Sequence, residues 1–147
     1  MPRFHRLMIV LTTIGFVAVV AYWAVWYFGD RVWLASLATP SYYTFENSFP
    51  AADGWLAIGF AASAWTLHTR RPSAMFWLLV CGSASLYLGL MDILFDLEND
   101  VYRAPDTGAV ITESAINVAS VAMGVWAMWF GWHHRRWLLA ATAPMSG

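Results

Sequence analysis

Two carboxyl groups lie four residues apart in the most acidic stretch of the chain. Asp92 and Asp96 belong to the segment Tyr87–Tyr102, which begins as an apolar run and ends among acids. Residues four apart share one face of an α-helix. A charged side chain at the centre of a membrane helix costs about 2.5–3.5 kcal/mol on insertion scales, so it usually faces a bundle interior or a wet cavity. The spacing therefore predicts a helix with its acidic face turned away from lipid.

A second polar face follows in the next apolar segment, where Glu113 and Asn117 are also four residues apart. Carboxyl groups that are close together in a low dielectric cannot all ionise, so one keeps its proton and can act as an acid near neutral pH. We therefore predict Asp92 and Glu113 as a catalytic acid–base pair, with Glu46 or Asp53 as a third group.

The polar faces of all the apolar segments become more polar toward the same end, which predicts one shared cavity there. The predicted ligand-binding residues are Glu46, Asn47, Asp53, Asp96, Asn117, Tyr22, Trp26, Tyr43 and Tyr87. Simpler explanations exist for three of them. Asp96 can be a solvated acid at a helix end, Asp53 a first-turn residue stabilised by the helix dipole, and Asn117 an interhelical hydrogen-bonding residue. We predict no cofactor.

The composition sets the class of protein. The 147 residues are 60% hydrophobic and 12% charged, and they include ten Trp, which is typical of a polytopic membrane protein and not of a soluble domain. The single cysteine, Cys81, can form no internal disulfide and fits no metal-binding spacing. The arginine pairs flank apolar segments and form no basic face, so we expect no nucleic acid partner.

The charges are distributed asymmetrically about the apolar segments. All eight basic residues are Arg, and six of them flank one set of segment ends together with all four His; these six are Arg3, Arg6, Arg70, Arg71, Arg135 and Arg136. All nine acids lie toward the other set of ends. Positive residues mark cytoplasmic loops. The pattern predicts that both termini are cytoplasmic, in the inner membrane of a bacterium.

Four apolar segments are long enough to be membrane spans, at about 7–28, 51–68, 74–96 and 109–132. Short connections make consecutive spans antiparallel neighbours. The predicted fold is therefore a single all-α, four-helix antiparallel membrane bundle. Ser48 and Pro50 predict the start of the second helix, with Ser48 as the N-cap, and the residues after Arg136 are expected to lack regular structure.

Two resemblances follow from these residues. The run Asn47-Ser48-Phe49-Pro50, with Asp53 after it, resembles the opening of the second span in small uncharacterised bacterial four-span membrane proteins, which imply no activity. The span count and acid placement are similar to the emopamil-binding and sigma-2-receptor type of membrane domain. That resemblance implies a lipid-accessible, carboxylate-lined pocket and, for some members, sterol isomerisation. The histidine used by such isomerases has no counterpart on the acidic side here. Integral membrane terpene cyclases, which also protonate an isoprenoid with buried acids, offer a similar analogy.

Three functions fit these features. The first is a pocket for a hydrophobic small molecule (a lipid, sterol-like or terpenoid compound), with acid–base isomerisation or cyclisation as its chemistry. The second is a non-catalytic accessory subunit of a larger membrane complex, as a homo-oligomer or with other membrane proteins. The third is binding or transport of a divalent cation such as calcium, magnesium or manganese through oxygen ligands. Membrane lipid is the expected surroundings in every case.

Overall fold

Helices make up the regular structure of the residues that can be described. A computed structural model describes residues 4–35, 37, 39–104 and 106–140, so Arg3 of the predicted basic flank lies outside them. The α-helices are α1 (His5–Phe28), α2 (Pro40–Glu46), α3 (Pro50–His68), α4 (Ala74–Glu98), α5 (Thr107–His133) and α6 (Arg135–Leu139). Two 3₁₀ helices, Arg31–Trp33 and Val101–Arg103, precede α2 and α5. The all-α prediction is confirmed for these residues.

Each predicted span coincides with one long helix, with bounds that differ by no more than two residues. Three helices in the described part of the chain, α1, α4 and α5, are long and apolar enough to cross a membrane. The 19-residue α3 is not among them, because small residues replace large apolar ones along it. The structure therefore supports a membrane protein by composition and helix length.

Close approach of small residues joins α4 to α5. An added Cβ at Gly124 would lie 2.7 Å from the backbone nitrogen of Leu86 and 2.8 Å from the carbonyl oxygen of Gly82. Ser85 strengthens this contact, since its hydroxyl donates to the carbonyl oxygen of Ser120 at 2.8 Å. We call this surface the α4–α5 seam.

The other neighbouring pairs are α1 with α3 and α3 with α4. Phe60 of α3 lies against Gly15 of α1, and Gly59 lies against Cys81 of α4. The helices thus follow one another in the order α1, α3, α4, α5. Across the described residues, α1 and α5 do not pack along each other's length. One side of the arrangement is therefore left open.

Two local predictions were wrong. Phe49, not Ser48, occupies the N-cap position of α3, and Ser48 instead donates its hydroxyl to the carbonyl oxygen of Phe45. The predicted position of Pro50 in the first turn is confirmed. The chain after Arg136 does not lose regular structure at once, because α6 continues to Leu139 and buries Leu138. Residues 141–147 lie outside the described part.

Candidate functional site: a carboxyl-lined cavity between α1 and α5

A cavity of about 560 Å³ lies at the open side of the bundle. One apolar wall comes from α1, with Leu11, Ile14, Ala18 and Val19. The opposite wall comes from α5, with Ile116, Ala119, Met123 and Trp126. Phe49, Leu56, Phe60 and Leu88 close the back. The volume lies within the roughly 300–1,000 Å³ that small-molecule sites occupy.

Four carboxyl groups line one end of this cavity, and each comes from a different helix. Glu46 is the last residue of α2, and Asp53 stands in the first turn of α3. Asp92 projects from the last third of α4, and Glu113 from the second turn of α5. We call this end the acidic end. No Arg, Lys or His is among the described residues that line the cavity.

Aromatic residues lie at the opposite end of the cavity. Trp126 lines the cavity and its ring meets that of Phe4 edge to face, with centroids 5.9 Å apart. This contact joins the start of α1 to the later part of α5. The cavity consequently has a polar end, an apolar end and an open side.

Glu46 is held by two tyrosines. Tyr22 donates its hydroxyl to Oε2 of Glu46 at 2.9 Å, and Tyr42 also hydrogen bonds to the Glu46 carboxyl group. Burial is the main cause that raises the pKa of Glu46 to about 7. The charges of Glu113 and Asp53 also raise this pKa, whereas the hydrogen bonds from the two tyrosines lower it. Glu46 therefore changes its charge near neutral pH.

Asp53 accepts a hydrogen bond from the indole of Trp23, with Nε1 and Oδ2 2.9 Å apart. This contact ties the later part of α1 to the first turn of α3. Sequence reasoning missed Trp23, because it lies beside Tyr22 rather than on the polar face at three- and four-residue steps. The feature that could have pointed to Trp23 is its indole N–H, which needs a hydrogen-bond partner when it is buried. Asp53 thus lies in the first turn of α3 and also lines the cavity.

The two predicted catalytic acids reach the same space. Asp92 and Glu113 both line the cavity, and Asp92 interacts electrostatically with Glu113, Glu46 and Asp53. A cluster of this kind in a low dielectric retains exchangeable protons. The arrangement can therefore offer both a proton donor and a proton acceptor to an apolar compound in the cavity.

Asp96 and Asn117 form a separate buried group with Tyr102. Nδ2 of Asn117 donates to Oδ2 of Asp96 at 2.6 Å and to the Tyr102 hydroxyl at 2.9 Å. Asp96 and Asn117 are each 2% exposed, and they do not line the cavity. Burial raises the pKa of Tyr102. Oδ1 of Asn117 has no hydrogen-bond partner among the described residues. This group joins α4, α5 and the loop between them.

The remaining predicted ligand residues lie away from the cavity. Trp26 is fully buried and donates its indole N–H to Oδ1 of Asn47 at 3.0 Å, and the ring of Tyr43 lies 5.9 Å from that of Trp26. These three residues connect α1 to the C-terminal end of α2. Tyr87 is 63% exposed on α4 and does not line the cavity. Five residues separate it from Asp92, which places it about 140° around the helix. Of the nine, Tyr22, Glu46 and Asp53 line the cavity.

Metal ligation has little support from the geometry. Within the described residues, no group of three or more His, Cys, Asp and Glu side chains is arranged to hold a metal ion. The four carboxyl groups of the acidic end thus share a cavity without converging on one point.

Comparison with known proteins gives no further assignment. No model of a protein family, no curated protein and no solved structure matches this chain.

Proposed function

We propose that this chain is a four-span membrane protein that binds a hydrophobic small molecule between α1 and α5. In this arrangement both termini are cytoplasmic, in the inner membrane of a bacterium, and the acidic end faces outward. The observation that carries the proposal is the cavity of about 560 Å³, which has apolar walls, an open side and four carboxyl groups at one end. A lipid, a sterol-like compound or a terpenoid has the matching chemistry.

Acid–base isomerisation or cyclisation is the reaction that this site would support. A protonated carboxyl group beside a double bond can deliver a proton to carbon, and a neighbouring carboxylate can stabilise the developing cation or remove a different proton. Asp92 and Glu113 are the pair for these two roles, and Glu46 is a third group that titrates near neutral pH. The apolar walls would keep water away from a carbocation.

The proposal is tested by native mass spectrometry of the detergent-purified protein, followed by extraction of whatever compound accompanies it. A stoichiometric hydrophobic compound should be released from the wild type. It should be reduced at least tenfold in Asp92→Asn and Glu113→Gln, whose side chains keep their size and lose their charge. Glu98→Gln is the matched control, because Glu98 is an exposed acid on the same helix as Asp92. Equal binding by all four proteins would defeat the proposal.

A non-catalytic accessory subunit is the second candidate, and the open side of the bundle favours it. Ile14 is 58% exposed and Ile116 is 38% exposed at the edges of the gap between α1 and α5. A helix from another membrane protein could cover these residues in place of a small molecule. In that case the purified protein should be empty, and disulfide crosslinking of the Ile14→Cys variant should capture another membrane subunit. The cation alternative has no comparable support, since the described carboxyl groups do not converge.

A further inference from the structure

The cavity extends along α1 and α5, and the residues that line it on these two helices give its length. Its residues run from Leu11 to Tyr22 along α1 and from Glu113 to Trp126 along α5. At 1.5 Å per residue these stretches are about 17 Å and about 20 Å long. The hydrocarbon core of a bilayer is about 30 Å thick, so the cavity covers a little more than one leaflet.

The apolar part of the cavity can hold a hydrocarbon chain. The cavity has a volume of about 560 Å³. Its apolar walls continue as far as Trp126, so an apolar chain can lie along the whole length below the carboxyl groups.

The charge of the acidic end limits the head group. Glu46, Asp53, Asp92 and Glu113 line it, and no cationic side chain among the described residues lines the cavity. A phosphate, sulfate or carboxylate head would meet like charges in a low dielectric without a counter-ion. A hydroxyl or an amine can donate hydrogen bonds to carboxylate oxygens instead.

The open side determines how such a molecule reaches the cavity. The last residue of α2, Glu46, and Phe49 lie at the acidic end, where both line the cavity. At the other end the rings of Phe4 and Trp126 contact each other. Ile14 and Ile116 are exposed on the open side, which would face lipid. The open side thus offers a route sideways, between α1 and α5.

We infer that the ligand of this cavity is an amphiphile with an apolar chain and a hydroxyl or amine head, which moves in laterally from the outer leaflet. Its head lies among the four carboxyl groups and its chain ends near Trp126. This inference rests on the proposed function and narrows it, because it excludes phospholipids and fatty acids as ligands.

Photoaffinity labelling of the wild-type protein in phosphatidylcholine nanodiscs tests both the head group and the orientation. The probes are hexadecanol, hexadecylamine and hexadecanoic acid, each carrying a diazirine either at the chain end or beside the head. Labelled peptides are mapped by mass spectrometry. Val118, 68% exposed on α5, provides an internal reference for labelling from bulk lipid.

The alcohol and the amine should label cavity residues at least tenfold more than the acid does, relative to Val118. Chain-end diazirines should label near Leu11 and Trp126, and head-proximal diazirines near Tyr22 and Glu113. Equal or stronger labelling by the acid, or the reverse orientation, overturns the inference and leaves the proposed pocket intact. If all three probes label Val118 and none labels the cavity, the pocket itself fails.

The same measurement on Asp92→Asn and Glu113→Gln tests whether the carboxyl groups determine which head group binds. In these variants the preference over the acid should fall at least threefold, while the chain end still labels near Trp126. An unchanged preference in both variants contradicts the electrostatic argument. Glu98→Gln should behave as the wild type.

Discussion

Helix α5 presents two contrasting surfaces. On one side, Gly124 meets α4 so closely that backbone atoms of Gly82 and Leu86 leave no room for a methyl group. On the other side, Ile116 and Trp126 line a cavity that α1 leaves open. Without a hydrophobic driving force between helices in lipid, small residues and hydrogen bonds hold the α4–α5 seam together. The bundle is thus closely packed at one face of α5 and leaves a cavity at the other.

Overpacking the α4–α5 seam should produce the largest effect. Gly124→Leu forces a side chain against the backbone of Gly82 and Leu86, which cannot move aside as a flexible side chain would. We expect a loss of about 3 kcal/mol of stability, the upper end of the usual cost of overpacking, seen as loss of folded protein by size-exclusion chromatography or as a much lower melting temperature.

Gly54 offers the matched control, because an added Cβ there would have no atom within 4 Å. Gly54→Ala should leave stability unchanged or raise it by up to about 1 kcal/mol through helix propensity. If Gly124→Ala were tolerated as well as Gly54→Ala, the α4–α5 seam would not be as closely packed as the structure indicates.

The second prediction concerns the pH dependence that the cavity side should contribute. Burial raises the pKa of Glu46 to about 7 from an ordinary value of 4.5. Between these two values the folded protein keeps a proton that the unfolded chain has released. Stability should therefore fall as pH rises from about 4.5 to about 7, by up to about 3 kcal/mol, and level off above that range.

The measurement is the apparent melting temperature in detergent between pH 5 and pH 8. Glu46→Gln cannot titrate but still offers an oxygen to Tyr22, so its profile should lose most of this slope. Glu98→Gln removes an exposed acid and should keep the wild-type slope. A slope that survives in Glu46→Gln would assign the titration to another group.

The third prediction concerns a substitution that fills the cavity and leaves the α4–α5 seam unchanged. Ile116→Trp places a larger ring in the space between α1 and α5, so it should weaken binding of the co-purifying compound about tenfold, or about 1.4 kcal/mol. Stability should change little, because the space is open at its side. Val118→Trp, on the lipid-exposed face of the same helix, should bind as the wild type does. Equal binding by both variants would place the ligand elsewhere.

The helices and the acids of the cavity could be predicted from the sequence because both follow from periodicity. Apolar runs of the right length gave all four long helices within two residues, and the polar steps pointed to Asp92 and Glu113. Both predicted polar faces are turned inward. Glu113 and Asn117 are 7% and 2% exposed, and Ser85 and Asp96 of α4 are each 2% exposed.

The apolar walls of the cavity could not be predicted in this way. Val19 and Met123 look like lipid-facing residues in the sequence, and only the wide separation of α1 from α5 makes them cavity residues. The partners of the tertiary hydrogen bonds could not be predicted either. Asn47 pairs with Trp26, and Asn117 pairs with Asp96, so two polar residues predicted to bind ligand make hydrogen bonds between elements. Which helices separate depends on side-chain packing that no single segment encodes.

The smallest effect should come from one hydrogen bond within the seam. Ser85→Ala removes the hydroxyl that donates to the carbonyl oxygen of Ser120 at 2.8 Å, and an interhelical bond of this kind in a membrane protein contributes about 0.6 kcal/mol. Ser83→Ala is the control, since Ser83 bonds only within its own helix, to the carbonyl oxygen of Val80. Thermal unfolding should separate the two variants by about one degree or slightly more. If they were indistinguishable, close packing of glycine and other small residues would account for the whole stability of the seam, and the contrast between the two sides of α5 would be one of shape alone.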